Sequence, residues 1–437
     1  MIEKNEYLNL RTENEMRIEG YSLSKSKLML TRLMIVLSLG FLKLVLYWRS
    51  DLMLKFTHKR CDLKKATKVL LVDKYNQKFV ESIQYLLNID HKVNEESKEE
   101  SNSLLESNRI KHFTNKKLKY VWNHTNEVFE KLKGLEDNYT FEYFQKHTGL
   151  TKDEENAKLA MHGENSINVS ITPLSTLLIK EVLSPFYIFQ IFSCALWYFE
   201  TYVYFATCIV VISAVSIIYS LHSIRRNERA LRNMIHNVNQ VNILRKKNKS
   251  DYEEVTTNSN FLVPGHIIEI KNMTIMQCDA LLLEDSTVVV NESMLTGESV
   301  PITKTGIGFS DVNDSKLNFK EHKKHILFSG TQVMQTRLFS SDKVKAIVLR
   351  TGFDTSKGEL IRAILFPKPS EFRFDLDLYK YIGALTLISI LGMIYTVLIM
   401  NARKNSLLEI ILRSLDLITI VVPPALPGNY YIYFFFI

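Results

Sequence analysis

The stretch "NESMLTGESVPITKT", Asn291 to Thr305, decides how the rest of this 437-residue chain is read. Its centre, Thr296-Gly297-Glu298-Ser299, has the make-up of a turn. Gly297 supplies backbone freedom and presents the Glu298 carboxylate at a loop tip rather than in a core. Alone, so short a match reads as a solvated turn. Its surroundings give it weight. From about Arg232 to Pro369 the chain runs in short β-rich pieces, "HIIEI", "ALLLED", "STVVV", "ILFSGTQVM" and "KVKAIVL", separated by Gly and charged turns. That pattern implies a compact soluble β domain.

Apolar segments flank this domain. Leu183 to Leu221 is apolar apart from Glu200 and a few uncharged polar side chains. As one helix it would be roughly 58 Å long, about twice the hydrocarbon thickness, so it reads as two helices turning near Glu200. Lys180 precedes the pair and Arg225, Arg226, Arg229 and Arg232 follow it, which puts both outer ends in the cytosol. A second apolar pair, Tyr379 to Met400 and Leu407 to Pro427, is joined by the polar loop "NARKNS". Nearer the N-terminus, "LMLTRLMIVLSLGFLKLVLYW" is interrupted by Arg32 and Lys43 and leaves only Leu33 to Leu42 free of charge. That is too short to span comfortably, so it reads as interfacial or re-entrant, with Gly40 permitting a bend. From Phe56 to about Asn168 the chain is polar, with alternating pieces such as "KVLLVD" and the Ser/Glu-rich linker "NEESKEESNSLLES". This reads as a small cytosolic region with a flexible insert, and it holds the sequons of Asn123 and Asn138 away from the glycosylation machinery.

Composition agrees with a mixture of membrane and soluble parts: 46% hydrophobic and 11% aromatic residues, with a mean hydropathy near zero. The net charge of +8 is modest and unevenly placed, with Lys43, Arg49, Lys55, Lys59, Arg60, Lys64, Lys65 and Lys68 crowded together. Beside an apolar run such a cluster suits anionic lipid better than nucleic acid; the alternative is an ordinary solvated face. The four cysteines form no CxxC pair and no metal-ligand spacing, so no metal site is expected in this chain. No cleavable signal peptide is evident.

The chain ends "VVPPALPGNYYIYFFFI". Pro423 and Pro424 lack amide hydrogens and leave the carbonyls of Thr419 and Ile420 without helical donors, and Pro427 does the same for Pro423. Those acceptors can receive hydrogen bonds from ammonium groups. Asp416, two turns earlier and roughly 14 Å in from Leu407 at helical rise, is an ionisable residue at membrane depth and so a functional candidate. The alternative is that it snorkels or pairs with Arg413. Glu200 at the outer turn could draw a cation to an entrance, or simply be solvated.

A TGES loop in a β domain set between two helical hairpins resembles the P-type ATPases, whose actuator domain lies between the second and third membrane helices. The resemblance implies that Glu298 positions and activates the water that hydrolyses an aspartyl-phosphate intermediate, with Thr296 and Gly297 shaping the loop. "PPALP", Pro423 to Pro427, resembles the B branch of the type V group, polyamine transporters of late endosomes and lysosomes; the sister A branch, a helix dislocase, typically has glutamate where Ala425 stands. "FTNKKLKYVWN", "LLIKEVLSPFYIFQIFSCALW" and "VLRTGFDTSKGELIRAILFPKPSEFRF" look like the same branch. The implied substrate contacts are Asp416, the carbonyls of Thr419 and Ile420, and Pro423, Pro424, Ala425, Leu426 and Pro427. The early apolar segment and the basic residues after it, Lys55, Lys59, Arg60, Lys64 and Lys65, look like the branch's lipid-binding region.

Three departures stand out: His266 where the family usually has aspartate, Gln277 where proline is common, and no DKTGT. The expected architecture is a multi-pass α-helical membrane protein with an inserted β-rich actuator domain, α+β overall. Its parts are a tail (1–27), a re-entrant or interfacial segment (28–47), a cytosolic region (48–182), a first hairpin (183–221), the actuator (222–377), a second hairpin ending in PPALP (378–427) and an atypical tail (428–437). The expectation is the N-terminal part of an ATP-driven polyamine pump, monomeric, in the late endosomal or lysosomal membrane. Mg²⁺ and ATP would be held by domains this chain lacks, which leaves it catalytically incomplete. A regulatory non-catalytic membrane protein and an inorganic-cation pump are the alternatives.

Overall fold

In a computed structural model of the chain, the described residues are 7–8, 15–87, 109–136, 139–169, 171–235, 239–248, 251–283, 286–307, 316–338, 343–367 and 373–421. The Ser/Glu-rich linker, Asn138, and Pro423, Pro424, Ala425, Leu426 and Pro427 with the tail after them lie outside these. The chain divides into two units, Met1–Asn168 with Ile235–Lys368, and Val169–Met234 with Pro369–Ile437.

The first unit begins with two facing antiparallel sheets. Met16–Leu23 pairs with Tyr7–Leu8, His58–Cys61 and Lys68–Asp73, and Lys78–Ser82 extends the sheet. Gln84–Leu87, Arg109–Asn115, Leu118–Asn123 and Val128–Lys131 form the other as a meander. Strand alternation turns Leu118, Tyr120 and Trp122 inward against Ile18, Val69 and Leu71, and the Phe113 and Tyr120 rings stack 5.1 Å apart. Three helices, Lys25–Leu37, Phe41–Trp48 and Ser50–Thr57, are inserted between Met16–Leu23 and His58–Cys61. The first reverses at Leu39 and Gly40, whose φ of 87° needs glycine's freedom. Its base is tied down by Lys27 Nζ, which donates to the carbonyls of Lys55 and His58 at 3.2 and 3.1 Å, and by Thr31 Oγ1 donating to Phe56 O at 2.9 Å. Leu33, Val36, Leu37, Leu39 and Phe41 stay exposed at its far end.

The rest of the unit is a six-stranded sheet in the order Asp251–Asn258, Gln240–Asn248, Ile267–Glu269, Lys345–Arg350, Asp279–Leu282, Ile326–Leu327, with a three-stranded sheet of Ile302–Thr305, Ser286–Asn291 and Gln332–Leu338. Ala346 and Val348 of the central strand pack with Val288, Val290 and Val333; Ile347 and Leu349 point to the other face. A strand buried on both faces reads as a continuous apolar run, and "AIVL" is one.

The second face is covered by a segment that the sequence reading placed in a cytosolic region of its own. Leu135, Phe141 and Phe144 pack on Leu281, Ile347 and Leu349, and Leu135 N donates to Leu349 O at 3.0 Å. Arg350, stacked on Phe319, donates to the buried Glu136. The helix Lys152–His162, started by a capping box of Thr151 and Glu154, brings Glu155 to Arg245 at 2.8 Å. Asn165 closes the strap, donating to Ser259 O and Gln277 O and accepting from Gly352 N. The two departures from the family pattern fall here. His266 is buried with its Nε2 3.9 Å from Glu155, and Gln277 donates to Ile275 O.

In the second unit, Leu174–Val182 and Pro185–Phe199 meet at a 66° bend, and the chain turns at Glu200 into the long helix Val203–Ile235. That helix runs past Leu221, the expected end of the hairpin, carrying its four arginines as a helical extension. Arg373–Ala402 and Leu407–Val421 form the second pair, with the terminal methyl of Leu417 lying over Gly392, 2.6 Å from where a Cβ would be. Two of these helices, over Val203–Asn233 and Gly383–Ala402, are long and apolar enough to cross a membrane, or three if the bent pair counts as one span.

Candidate functional site

The TGES turn stands at the end of the three-stranded sheet. Val290 pairs with Ile302, so the chain between them forms a loop closed at its base by two strands. Asn291 Oδ1 accepts from Ser293 N at 2.9 Å and starts a single helical turn, Ser293–Thr296. The carbonyl of Glu292 holds this turn, accepting from Leu295 N, Thr296 N and Thr296 Oγ1 at 2.9, 3.0 and 3.2 Å. Gly297 ends it in the left-handed region at φ 78° with open space where a Cβ would be. Thr296 Oγ1 then accepts from Glu298 N at 3.2 Å. The hydroxyl thus links the backbone that carries Glu298 to the start of the turn. Thr296, Gly297 and Glu298 are all exposed. An exposed carboxylate on a turn ordered by its own hydrogen bonds is suited to accept a proton from water held against an outside group.

Beneath the loop lies a feature the sequence reading missed. Glu292 and Lys304 are 7% and 3% exposed, and their charged atoms are 2.7 Å apart. The only hint is a lysine at an inward position of "ITKT", where strand alternation calls for an apolar side chain.

In the second unit, Asp416 is half-buried in Leu407–Val421. Its Oδ1 accepts from Trp197 Nε1 at 3.0 Å and from Thr419 Oγ1 at 3.2 Å. Trp197 is 4% exposed, sits against Phe205, and packs with Cys194, Ala206 and Ile209. Glu200, one turn after Trp197, is within reach of the Asp416 carboxylate. The charge partner of Arg413 is Glu409 at 3.8 Å rather than Asp416. Thr419 is fully buried and Ile420 exposed. Trp197 was missed because a lone tryptophan in an apolar run reads as packing; only its N–H, which must find an acceptor when buried, marks it.

The basic residues Lys55, Lys59, Arg60, Lys64 and Lys65 are exposed, on the third helix, the strand after it and the short turn that follows. Arg60 and Lys64 lie 3.7 and 3.5 Å from Glu19 and Glu127. Among the described residues no group of three or more His, Cys, Asp or Glu side chains is placed to hold a metal ion.

A two-sheet unit that displays a Thr-Gly-Glu-Ser turn on a closed loop has the make-up of a P-type ATPase actuator, and residues 238–365 match the P-type ATPase actuator domain. Residues 12–123 match the P5-type ATPase cation transporter family and residues 125–197 the cation transporter/ATPase N-terminus. Polyamine-transporting ATPase 13A3 of Homo sapiens is 40% identical over 460 residues, covering 98% of this chain and 37% of its own length. Probable cation-transporting ATPase catp-6 of Caenorhabditis elegans is 40% identical over 411 residues, 90% of this chain and 31% of that protein. Probable cation-transporting ATPase 13A4 of Homo sapiens is 36% identical over 444 residues, 96% and 36%. The chain belongs to the type V P-type ATPases, on the B branch. It spans about a third of the length of these relatives.

Proposed function

We propose that this chain supplies the actuator, the N-terminal cytosolic unit and the first membrane helices of a multi-pass pump that moves polyamines from a late endosomal or lysosomal lumen to the cytosol. The observation that carries the reading is Asp416, a carboxylate on a membrane helix whose hydrogen bonds come from Trp197 and Thr419 and whose acidic neighbour is Glu200, with Arg413 paired to Glu409 instead. An ammonium group can replace the indole N–H as donor, and the carbonyls of Thr419 and Ile420, freed by Pro423 and Pro424, would take the next ones. The name and 40% identity of the 13A3 relative support this substrate class.

In this reading Glu298 acts on an aspartyl phosphate elsewhere in the pump. Its carboxylate takes a proton from water as the water oxygen bonds to phosphorus and the aspartate carboxylate leaves. Thr296 and Gly297 hold the loop in shape for that step. The family uses ATP and Mg²⁺ in general, and neither is assigned to residues of this chain. The exposed apolar end of the N-terminal helices would enter a membrane, with Lys55, Lys59, Arg60, Lys64 and Lys65, at and beyond the base of those helices, turned to its anionic surface. Both ends of the first membrane pair would face the cytosol.

Spermine binding to the chain in nanodiscs, followed by calorimetry, tests the substrate assignment. Asp416→Asn is expected to weaken binding at least tenfold with the helical content unchanged. Equal affinity in the two proteins would overturn the assignment.

A further inference from the structure

The mechanism sketched above uses Glu298 and the two residues before it, yet the most deeply buried ion pair among the described residues of the unit lies directly under them. Lys304 is inward on the returning strand, opposite Val288. Its ammonium has three neighbours: Glu292 Oε1 at 2.7 Å, the carbonyl of Lys323 at 3.0 Å, and the Phe328 ring, whose centroid is 4.9 Å away. Glu292 is the residue whose carbonyl accepts three hydrogen bonds from the helical turn. One residue is thus held from below by its side chain and holds the loop above by its main chain. A continuous path follows: Lys304 ammonium, Glu292 carboxylate, Glu292 carbonyl, Thr296 hydroxyl, Glu298 amide.

A buried pair such as this is poor evidence for stability, because removing two charges from water offsets much of their attraction. An apolar pair would fill the same space. What the ion pair adds is a charge contact that draws the Glu292 carboxylate toward Lys304, below the peptide that anchors the turn. The main-chain cap and the Lys323 carbonyl give it two fixed ends.

We propose that Lys304, acting through Glu292, is a positioning residue for the Thr296–Glu298 turn, holding the exposed carboxylate in one orientation. The inference rests on the reading of Glu298 as the reactive carboxylate, but its test does not. The anchor's loss leaves the three-stranded sheet in place and frees the turn.

Hydrogen–deuterium exchange on the full 437-residue chain in nanodiscs, read at peptide level, tests this. In Lys304→Met, the amides of Leu295, Thr296 and Glu298 are expected to exchange at least tenfold faster, while the strands Ser286–Asn291 and Lys345–Arg350 keep their protection. Lys304→Arg, which keeps the charge, restores slow exchange in the turn. Glu292→Gln keeps the side-chain shape and carries the same test where Lys304→Met reduces the yield of folded chain; it too speeds exchange in the turn alone. Unchanged exchange of the turn in Lys304→Met or Glu292→Gln overturns the proposal. So does a loss of protection spread equally over the turn and both strands, which marks a general structural role. Whether Glu298 is the hydrolytic carboxylate is decided separately, by dephosphorylation of the complete pump carrying Glu298→Gln.

Discussion

Replacing Gly134 by alanine tests the strap that binds the N-terminal half of the first unit to the actuator sheet. A Cβ built on Gly134 would lie 2.0 Å from the carbonyl oxygen of Leu349 and 3.1 Å from its carbon. Both are backbone atoms of a strand paired on both sides, so neither can rotate away. The strap must therefore retreat by more than an ångström. That retreat breaks the Leu135 N to Leu349 O bond and draws Glu136 from Arg350. A lost backbone hydrogen bond costs about 1 kcal/mol, and parting a buried ion pair about 3 to 5 kcal/mol. Partial relaxation brings the expected loss to about 3 kcal/mol. Limited proteolysis with exchange mass spectrometry should show Leu135 to Asn165 opening about a hundredfold more often, with Leu118–Asn123 and Asp279–Leu282 still protected. Wild-type protection of the strap in Gly134→Ala would refute the steric reasoning.

Two further outcomes are open to measurement. Gly297→Ala meets no neighbour but must hold a φ of 78°, so it should cost about 1 kcal/mol and speed amide exchange at Glu298 without lowering the melting point of the sheet. Acid should loosen the first unit: burial pushes the His162 imidazole down to about 4, so its contribution is complete above its ordinary value near 6.5 and is lost between there and pH 4, about 3 kcal/mol in all. His162→Gln should flatten that part of a urea-unfolding profile against pH.

Much of the site could be read in the sequence because its chemistry is local. The TGES turn depends on a glycine and a threonine within three residues of one another, and the β-rich runs around it carry their period in plain view. The break at Glu200 follows from length alone, since one apolar segment cannot be twice as long as the bilayer is thick. The strap could not be read that way. Leu135, Phe141 and Phe144 carry no signal that they cover a strand at the far end of the actuator, and the need for cover appears only once "AIVL" is seen to be central. The Glu292–Lys304 pair was hidden for a related reason: alternation marks a position as inward but does not name its partner. Trp197 looked like one more apolar side chain until the helix carrying Asp416 was set beside it.

The division of the first unit has a consequence for how the protein is made. Its two sequence pieces, Met1–Asn168 and Ile235–Lys368, are separated by helices of the second unit, Leu174–Val182, Pro185–Phe199 and the long helix that starts at Val203. Phe141 and Phe144 leave the ribosome roughly two hundred residues before the strand they cover, a delay of about 10 to 40 s at ordinary rates of synthesis. During that interval the strap's apolar side chains wait without their sheet. The strap's apolar face is thus left uncovered during synthesis, and the arrival of Lys345–Arg350 ends that exposure.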